Sequence, residues 1–400
     1  MTARGRSVLA LGLVVYVAAW AFGSKPLYPV AAGLLLVSVV AWAWVHLSNG
    51  TFTVERGSTG SDLVEGEDVP VAVAVTSTGM LRPAVAELAD RVGRFGEQRH
   101  QLRRKGRRLA ITYALREVPR GRYPFENSRL ELGDPFGLQR ITVPLAAPGA
   151  LLVYPRIVHV DRLFSESGAH GLDGRRLLLR RPTGYDLHSV REYEHGESLR
   201  KVHWRSTAHR GQLMVKELED SPRDEIAVLL DANAAAVAGA SFDVQVRAAA
   251  SIIDAYAARG RRTVLVVNAA RREEQRVHAA TEGRRRALEL LAAAEPDGRT
   301  PLETVLADEG SAVARALELL VVTARLEPAA VDRLTQRALG HRRVALVYVD
   351  TPSFAGMPSR QLPLLLRLQS VGVPVAVVRA GDELGAALEG GSAAAGAAHG

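Results

Sequence analysis

"EIAVLLDA", residues 225–232, is an apolar run that ends on an acid. A run without polar alternation belongs to a strand covered on both faces, as in a parallel sheet. Four more such runs follow: "RTVLVVNAA" (262–270), "LELLVVTARL" (317–326), "RVALVYVDT" (343–351) and "VPVAVVRAG" (373–381). Alanine- and arginine-rich segments with helical spacing separate them, at 242–259, 284–294, 329–339 and 361–371. This alternation of strand and helix predicts a doubly wound α/β domain over 225–385. Ligands of such sheets sit beyond the carboxyl ends of the strands, where strand order reverses. The tail 386–400, which ends "EGGSAAAGAAHG", is small and nearly uncharged, and its composition predicts disorder.

Upstream, the pattern changes. From 51 to 158, runs such as "VPVAVAVTSTG" and "RRLAITYALREVPRGRYPFENSRLEL" alternate with period two and are broken by Gly, Pro and Asn. They predict a small antiparallel β-sandwich with no helix. The stretch "RFGEQRHQLRRKGRR" (94–108) reads as one basic loop. It is either a solvated hairpin tip or a contact for anionic lipid headgroups, where each Lys or Arg adds roughly 1 kcal/mol.

The N-terminus carries the clearest physical signal. "SVLALGLVVYVAAWAFG" (7–23) and "PLYPVAAGLLLVSVVAWAWVHL" (26–47) contain no Asp, Glu, Lys or Arg, and His46 is their one basic residue. About 20 apolar residues cross a hydrocarbon core. Residues 1–50 therefore predict a transmembrane hairpin, with Trp20, Tyr28, Trp42 and Trp44 near the interfaces. A cleaved signal peptide is the rival reading of the first run. The second run would still remain as an anchor. Arg4 and Arg6 precede the first helix, and Arg56 with a basic body follows the second, so positive-inside bias places both ends in the cytoplasm.

Totals agree with this picture. Four hundred residues exceed one ordinary core, and 47% apolar with 24% charged residues is a globular composition. With no cysteine there can be no disulfide framework, no Cys-ligated metal and no thiol nucleophile. A formal charge of +8 suits an acidic neighbour or a cytoplasmic membrane face.

Residues 191–217, "REYEHGESLRKVHWRSTAHRGQLMVKE", pack three histidines, six Lys or Arg and four glutamates into one run. As an enzyme site its spacings match no metal or acid–base motif, and the chain holds no glycine-rich phosphate loop or nucleophile elbow. As a nucleic-acid groove it has cations and aromatics, but interleaved glutamates weaken the field that phosphates require. As framework, Tyr193 and Trp204 would pack while Arg191, Glu192, Arg200 and Arg205 pair around them. Gly196 and Gly211 read as turns, and "QLMVKELE" as an edge strand leading into the α/β sheet.

The residues Arg191, Glu192, Tyr193, Gly196, Glu197, Arg200, Trp204, Ala208, Gly211, Val215 and Glu217 follow a pattern that resembles a bacterial family known as domain of unknown function 58. Two positions depart from it: Glu197 replaces a more usual Asp, and His209 stands where Arg is usual. "GDPFGL" (133–138) and the paired N-terminal helices resemble the family too. The resemblance implies that 225–385 is similar to von Willebrand factor type A, with 159–224 as the hallmark region. It also implies a MoxR-type AAA+ ATPase as partner, in assembly or maturation of other proteins. Related domains often hold a divalent metal through Asp-x-Ser-x-Ser after the first strand. Here those places hold Asp231, Asn233 and Ala235, a degenerate set, while Thr323 and Asp350 end later strands. No metal is expected there, and Asp231 reads as the cap of the following turn.

The expectation is a two-pass cell-membrane protein, its bulk cytoplasmic, that binds other proteins without cofactor, nucleic acid or small-molecule substrate. The alternative is a hydrolase or nuclease centred on His203, His209, Glu192 and Glu197. A third reading, metal-dependent adhesion by an outward-facing domain, requires the opposite topology.

Overall fold

The computed structural model describes residues 1–58, 63–105, 108–145, 149–160, 163, 187–192, 202, 204–218, 225–277, 282–340, 342–359 and 361–390. The chain divides into two compact units, Met1–Tyr154 and Pro155–Gly400. The sequence boundary at 158 therefore moves to Tyr154. Residues after it run with the second unit, where the Val158 N–H donates to Ser251 Oγ at 2.9 Å.

The first unit opens with helices α1 (Ala3–Ala21) and α2 (Leu27–Ser48), both long and apolar enough to cross a membrane. Small residues are buried along both helices, Gly12 and Ala19 of α1 and Ala31, Ser38 and Ala41 of α2, while a Cβ on Gly5 would meet the Leu138 carbonyl of the sandwich. A Cβ on Gly12 would lie 3.1 Å from Leu35, so a larger residue there would press on the side chains of Leu34 and Leu35. Large apolar side chains such as Leu11, Val14, Trp20, Leu36 and Trp42 point outward instead. Gly23, at φ +64°, starts the turn between the helices.

Nine strands follow: β1 (Phe52–Ser58), β2 (Val69–Ser77), β3 (Val85–Val92), β4 (Glu97–Gln101), β5 (Arg103–Lys105), β6 (Arg108–Leu115), β7 (Gly121–Gly133), β8 (Arg140–Pro144) and β9 (Ala150–Val153). They form sheets ordered β1-β2-β6-β5 and β4-β3-β7-β8, with β9 also on β7. Alternate residues Val69, Val71, Val73 and Val75 of β2 enter one core with Leu88, Leu130 and Leu132 of the other sheet. The supposed basic loop 94–108 is not one loop. It holds a short 3-10 turn (Gly93–Phe95), β4 and β5.

Arg56 corrects a sequence reading. It was assigned to the charge flanking the membrane, yet its guanidinium turns into the sandwich. It donates to Asp90 Oδ1 at 2.6 Å and Ser128 Oγ at 2.7 Å, and lies 4.4 Å from the centre of the Phe125 ring. Pairing between β3 and β7 shifts register between Ala89 and Arg91, and this irregularity coincides with Asp90. Asp90 is fully buried, so the ion pair ties the two sheets together in a low-dielectric setting.

In the second unit, β10 (Leu187–Glu192) pairs antiparallel with β11 (Met214–Leu218) in a separate two-stranded ribbon. "QLMVKELE" is thus not an edge of the α/β sheet. Between the two strands lies a helix not foreseen from sequence, α3 (Trp204–Arg210). Then come β12 (Ile226–Asp231), α4 (Ser241–Ala258), β13 (Thr263–Asn268), β14 (Arg272–Val277), α5 (Glu282–Ala293), α6 (Leu302–Ala307) and α7 (Ala312–Arg315). The unit ends with β15 (Glu318–Thr323), α8 (Pro328–Leu339), β16 (Arg343–Val349), α9 (Thr351–Phe354), α10 (Leu362–Ser370), β17 (Val375–Val378) and α11 (Leu384–Glu389).

The sheet order is β14-β13-β12-β15-β16-β17. All neighbours are parallel except β14, which runs antiparallel to β13. Strand order reverses at β12, the strand between β13 and β15. α11 occupies part of the stretch read as tail and buries Ala387 and Leu388, while 391–400 lies outside the described residues.

Asp90→Ala should leave Arg56 buried without its counter-charge and destabilise the sandwich by about 3–5 kcal/mol. Urea unfolding of the detergent-solubilised full chain measures it. The double change Arg56→Met with Asp90→Leu should recover most of that loss.

Candidate functional site

The carboxyl ends of the central strands bring three polar side chains together. Asp231 ends β12, Asn268 ends β13 and Thr323 ends β15, each almost fully buried. Asn268 Nδ2 donates to Asp231 Oδ1 at 2.9 Å, and Thr323 Oγ donates to Asp231 Oδ2 at 2.8 Å. The carboxylate thus bridges both of its neighbouring strands. Asn268 Nδ2 also reaches the Thr300 carbonyl at 2.9 Å. Burial pushes the Asp231 carboxyl above its ordinary range, against the pull of these two hydrogen bonds; nearby Glu303 pushes it further up and Arg325 opposes.

Local backbone completes the platform. Gly298 donates to the Ala232 carbonyl at 2.8 Å and accepts from the Ala234 N–H at 2.9 Å. A Cβ there would stand 2.4 Å from the Asn268 carbonyl oxygen, so only glycine permits this approach. Asn233 Oδ1 accepts the Ala235 N–H at 2.9 Å. Asn233, not Asp231, therefore caps the turn after β12, which corrects the sequence reading. Asp350, after β16, is buried with Oδ1 accepting no hydrogen bond among the described residues, and its Oδ2 lies 3.9 Å from Arg379 Nε. Burial first and Asp350 second push the Tyr348 phenol up to about 12.

This donor set does not fit a divalent cation of the Asp-x-Ser-x-Ser kind. Both Asp231 oxygens accept hydrogen bonds, the Asn233 oxygen serves the backbone, and Ala235 offers a methyl group. The arrangement clamps three strands and leaves its carboxylate committed to internal partners.

The hallmark residues are only partly brought together. Arg191 and Glu192 lie in β10, opposite Val215 and Met214 of β11. Tyr193, Gly196, Glu197, Arg200 and His203 lie outside the described residues. Trp204, Arg205 and His209 are on α3, all exposed, and Gly211 ends the helix at φ +68° with its N–H on the Thr207 carbonyl at 2.9 Å. Thr207 Oγ accepts the Met214 N–H at 3.0 Å, which fixes the helix to the start of β11. Trp204 does not pack as framework, because 66% of its surface is exposed. An indole and a guanidinium on neighbouring positions of a short, tethered helix form a surface that another protein could cover. Asn268 and Gly298 escaped the sequence reading. A signal was present, since the first three apolar runs each end in a hydrogen-bonding side chain: Asp231, Asn268 and Thr323.

Comparison with known proteins bears on the same region. The family model described as "Protein of unknown function DUF58" matches residues 189–360. An uncharacterized protein of Bacillus subtilis, YeaD, is 26% identical over 280 residues, covering 69% of this chain and 67% of that protein. Among solved structures, a von Willebrand factor type A protein from Catenulispora acidiphila is similar at 12% identity and a TM-score of 0.28, over 44% of this chain and 42% of that one. Cwp6 from Clostridium difficile is similar at 8% identity and a TM-score of 0.20, covering 81% of this chain and 49% of that one. The chain thus spans less than half the length of these solved structures, and at such scores neither likeness bears on function.

The folded chain holds the Asp231 proton more tightly than the unfolded chain does. Its contribution to stability is full below an unfolded pKa of about 4 and is lost as pH rises through the raised native value. Asp231→Asn cannot titrate, so the stability of wild type minus variant should fall as pH rises from about 4. Urea midpoints of the second unit across pH read this difference, and a rising difference would refute the burial argument. Thr323→Val removes one donor to the carboxylate and should cost about 1–3 kcal/mol.

Proposed function

We propose that this chain, which matches the DUF58 family model over residues 189–360, is a membrane-anchored protein-interaction module whose partner is a MoxR-type AAA+ ATPase. The bulk of the chain faces the cytoplasm in this reading, and its task is assembly or maturation of other proteins.

The observation that carries it is Trp204, an exposed indole beside Arg205 on a helix pinned between the two strands of the hallmark ribbon. Tryptophan and arginine dominate the energetics of protein interfaces, and an exposed tryptophan on a hydrogen-bonded scaffold is pre-organised for one. A second apolar surface supports an interaction role. Leu362 and Leu366, one turn apart on α10, are 58% and 54% exposed. Asp231 accepts hydrogen bonds from both flanking strands, a bracing role that agrees with recognition on the outer surfaces.

Anchoring is supported by the inverted hairpin. Water would drive large apolar residues into the helix seam, whereas lipid leaves the seam to small residues and tolerates large ones outside. Both helix ends meet the sandwich, as a two-pass arrangement requires, and Arg4 and Arg6 on that side support a cytoplasmic orientation under the positive-inside rule.

Capture of the full-length tagged protein from native membranes, with and without an ATP analogue, should enrich an AAA+ ATPase. Trp204→Ala should reduce recovery by about tenfold or more, as loss of an interface anchor does. Absence of any AAA+ ATPase in both nucleotide states would count against the reading. A reporter fused after Gly400 that is active only outside the cytoplasm would reverse the topology.

A further inference from the structure

Strand register collects several unassigned residues at one end of the sandwich. Phe52, just after α2, pairs with Ser77, the last residue of β2. On the next strands Thr76 pairs with Arg108, and Arg108 with Lys105, so the β5–β6 turn lies at that same end. In the other sheet Val85 pairs with Gly133, and Gly133 with Arg140, which brings the β7–β8 turn there too.

Both helices of the hairpin are fixed to loops of this end. The Thr2 N–H donates to the Leu138 carbonyl at 3.0 Å, and Thr2 Oγ to the Gly137 carbonyl at 2.8 Å. The Leu81 N–H donates to the Leu47 carbonyl at 3.0 Å. The loop after β7 is held rigid by buried Asp134, whose oxygens accept the Phe136 and Gln139 N–H groups at 2.9 and 2.7 Å. Each loop then presents one large apolar side chain outward: Met80 is 83% exposed and Phe136 57%.

Charge at this end is one-sided. Arg82, Arg103 and Lys105 are exposed, as are Arg4 and Arg6 in the first turns of α1. Acids of this end are already paired there: Glu55 with Arg108 at 2.7 Å, Glu131 with Arg140 at 2.9 Å, and Asp134 inside its loop. Apolar tips ringed by cations, continuous with two apolar helices, have the chemistry of an interfacial membrane contact.

We propose that this end of the sandwich is a second, peripheral membrane-binding surface: Met80 and Phe136 enter the lipid interface while Arg82, Arg103 and Lys105 engage the phosphates of anionic phospholipids. The inference rests on the reading of the hairpin as a membrane anchor. It makes the sandwich a foot pressed on the bilayer, so that the hairpin and both loops restrain its tilt together. Of the stretch 94–108, the second half then meets lipid. The first half does not, because Arg94 belongs with the opposite strand ends and Arg99 pairs with Glu97 at 2.7 Å.

The chain has no cysteine, so single substitutions Met80→Cys, Phe136→Cys and Arg122→Cys each accept one fluorescent probe. Arg122 is exposed at the other end of β7 and serves as the distant reference. Full-length labelled protein is reconstituted in phosphatidylcholine vesicles with and without phosphatidylglycerol, carrying a nitroxide quencher near the headgroups. Flotation after an alkaline wash tests the anchor separately. The expected result is flotation, with quenching at Met80→Cys and Phe136→Cys about twofold or more above Arg122→Cys and stronger with phosphatidylglycerol. Adding Arg103→Glu and Lys105→Glu should abolish that lipid dependence. Flotation with equal quenching at all three positions overturns the contact but leaves the anchor standing. Equal quenching with and without phosphatidylglycerol overturns the phosphate contact. Loss of flotation sinks the anchor and this inference with it.

Discussion

All six residues of β12 are buried, and its last is an acid. A carboxylate on a strand covered on both faces loses the water that met its lone pairs, and other groups must meet them instead. Asp231 recovers part of that loss with one donor from each flanking strand, and burial still pushes its carboxyl above the ordinary range. The same bonds set the relative height of β13, β12 and β15 at the point where strand order reverses. Turn geometry follows from them: Asn233 is released to cap the loop, and Gly298 can approach the β12 and β13 backbones because it has no side chain. The Asp231 side chain is thus braced by its own neighbours on β13 and β15.

The parallel strands were legible because burial on both faces removes alternation, and nothing else writes five apolar runs between helical segments. β14 was not, since "REEQRV" is an edge strand paired on one side, with only Val277 among its side chains fully buried. α3 was hidden for a related reason. It has seven residues, none of them buried, so no apolar stripe could announce it. The hallmark run 191–217 was visible as a pattern, but its meaning was misjudged at Trp204, which composition assigned to packing and the fold leaves exposed. Periodicity reports burial, and an exposed indole breaks the period without saying why.

Arg56 shows the opposite failure. Counted as a charge near the end of a transmembrane helix, it belongs to a buried pair with Asp90, and no local feature of "TVERGS" distinguishes the two fates. The distinguishing element lies 34 residues away, at the register irregularity around Asp90. Long-range pairing of this kind is set by tertiary contacts, and single-sequence charge counts cannot register it.

Removing Arg56 from the surface count sharpens the membrane argument. The cations left at the helix-bearing end are those on loops and on the first turns of α1, and they surround two apolar tips. A hairpin alone is a flexible tether, because a few residues at its exit can pivot. Here Thr2 and Leu81 bond the sandwich loops directly to the helix ends, so the exits are part of the loops. If the hairpin spans a bilayer, as proposed, a domain coupled in this way would take its orientation from the membrane, and the ordering entropy of the contact would be met once, on insertion.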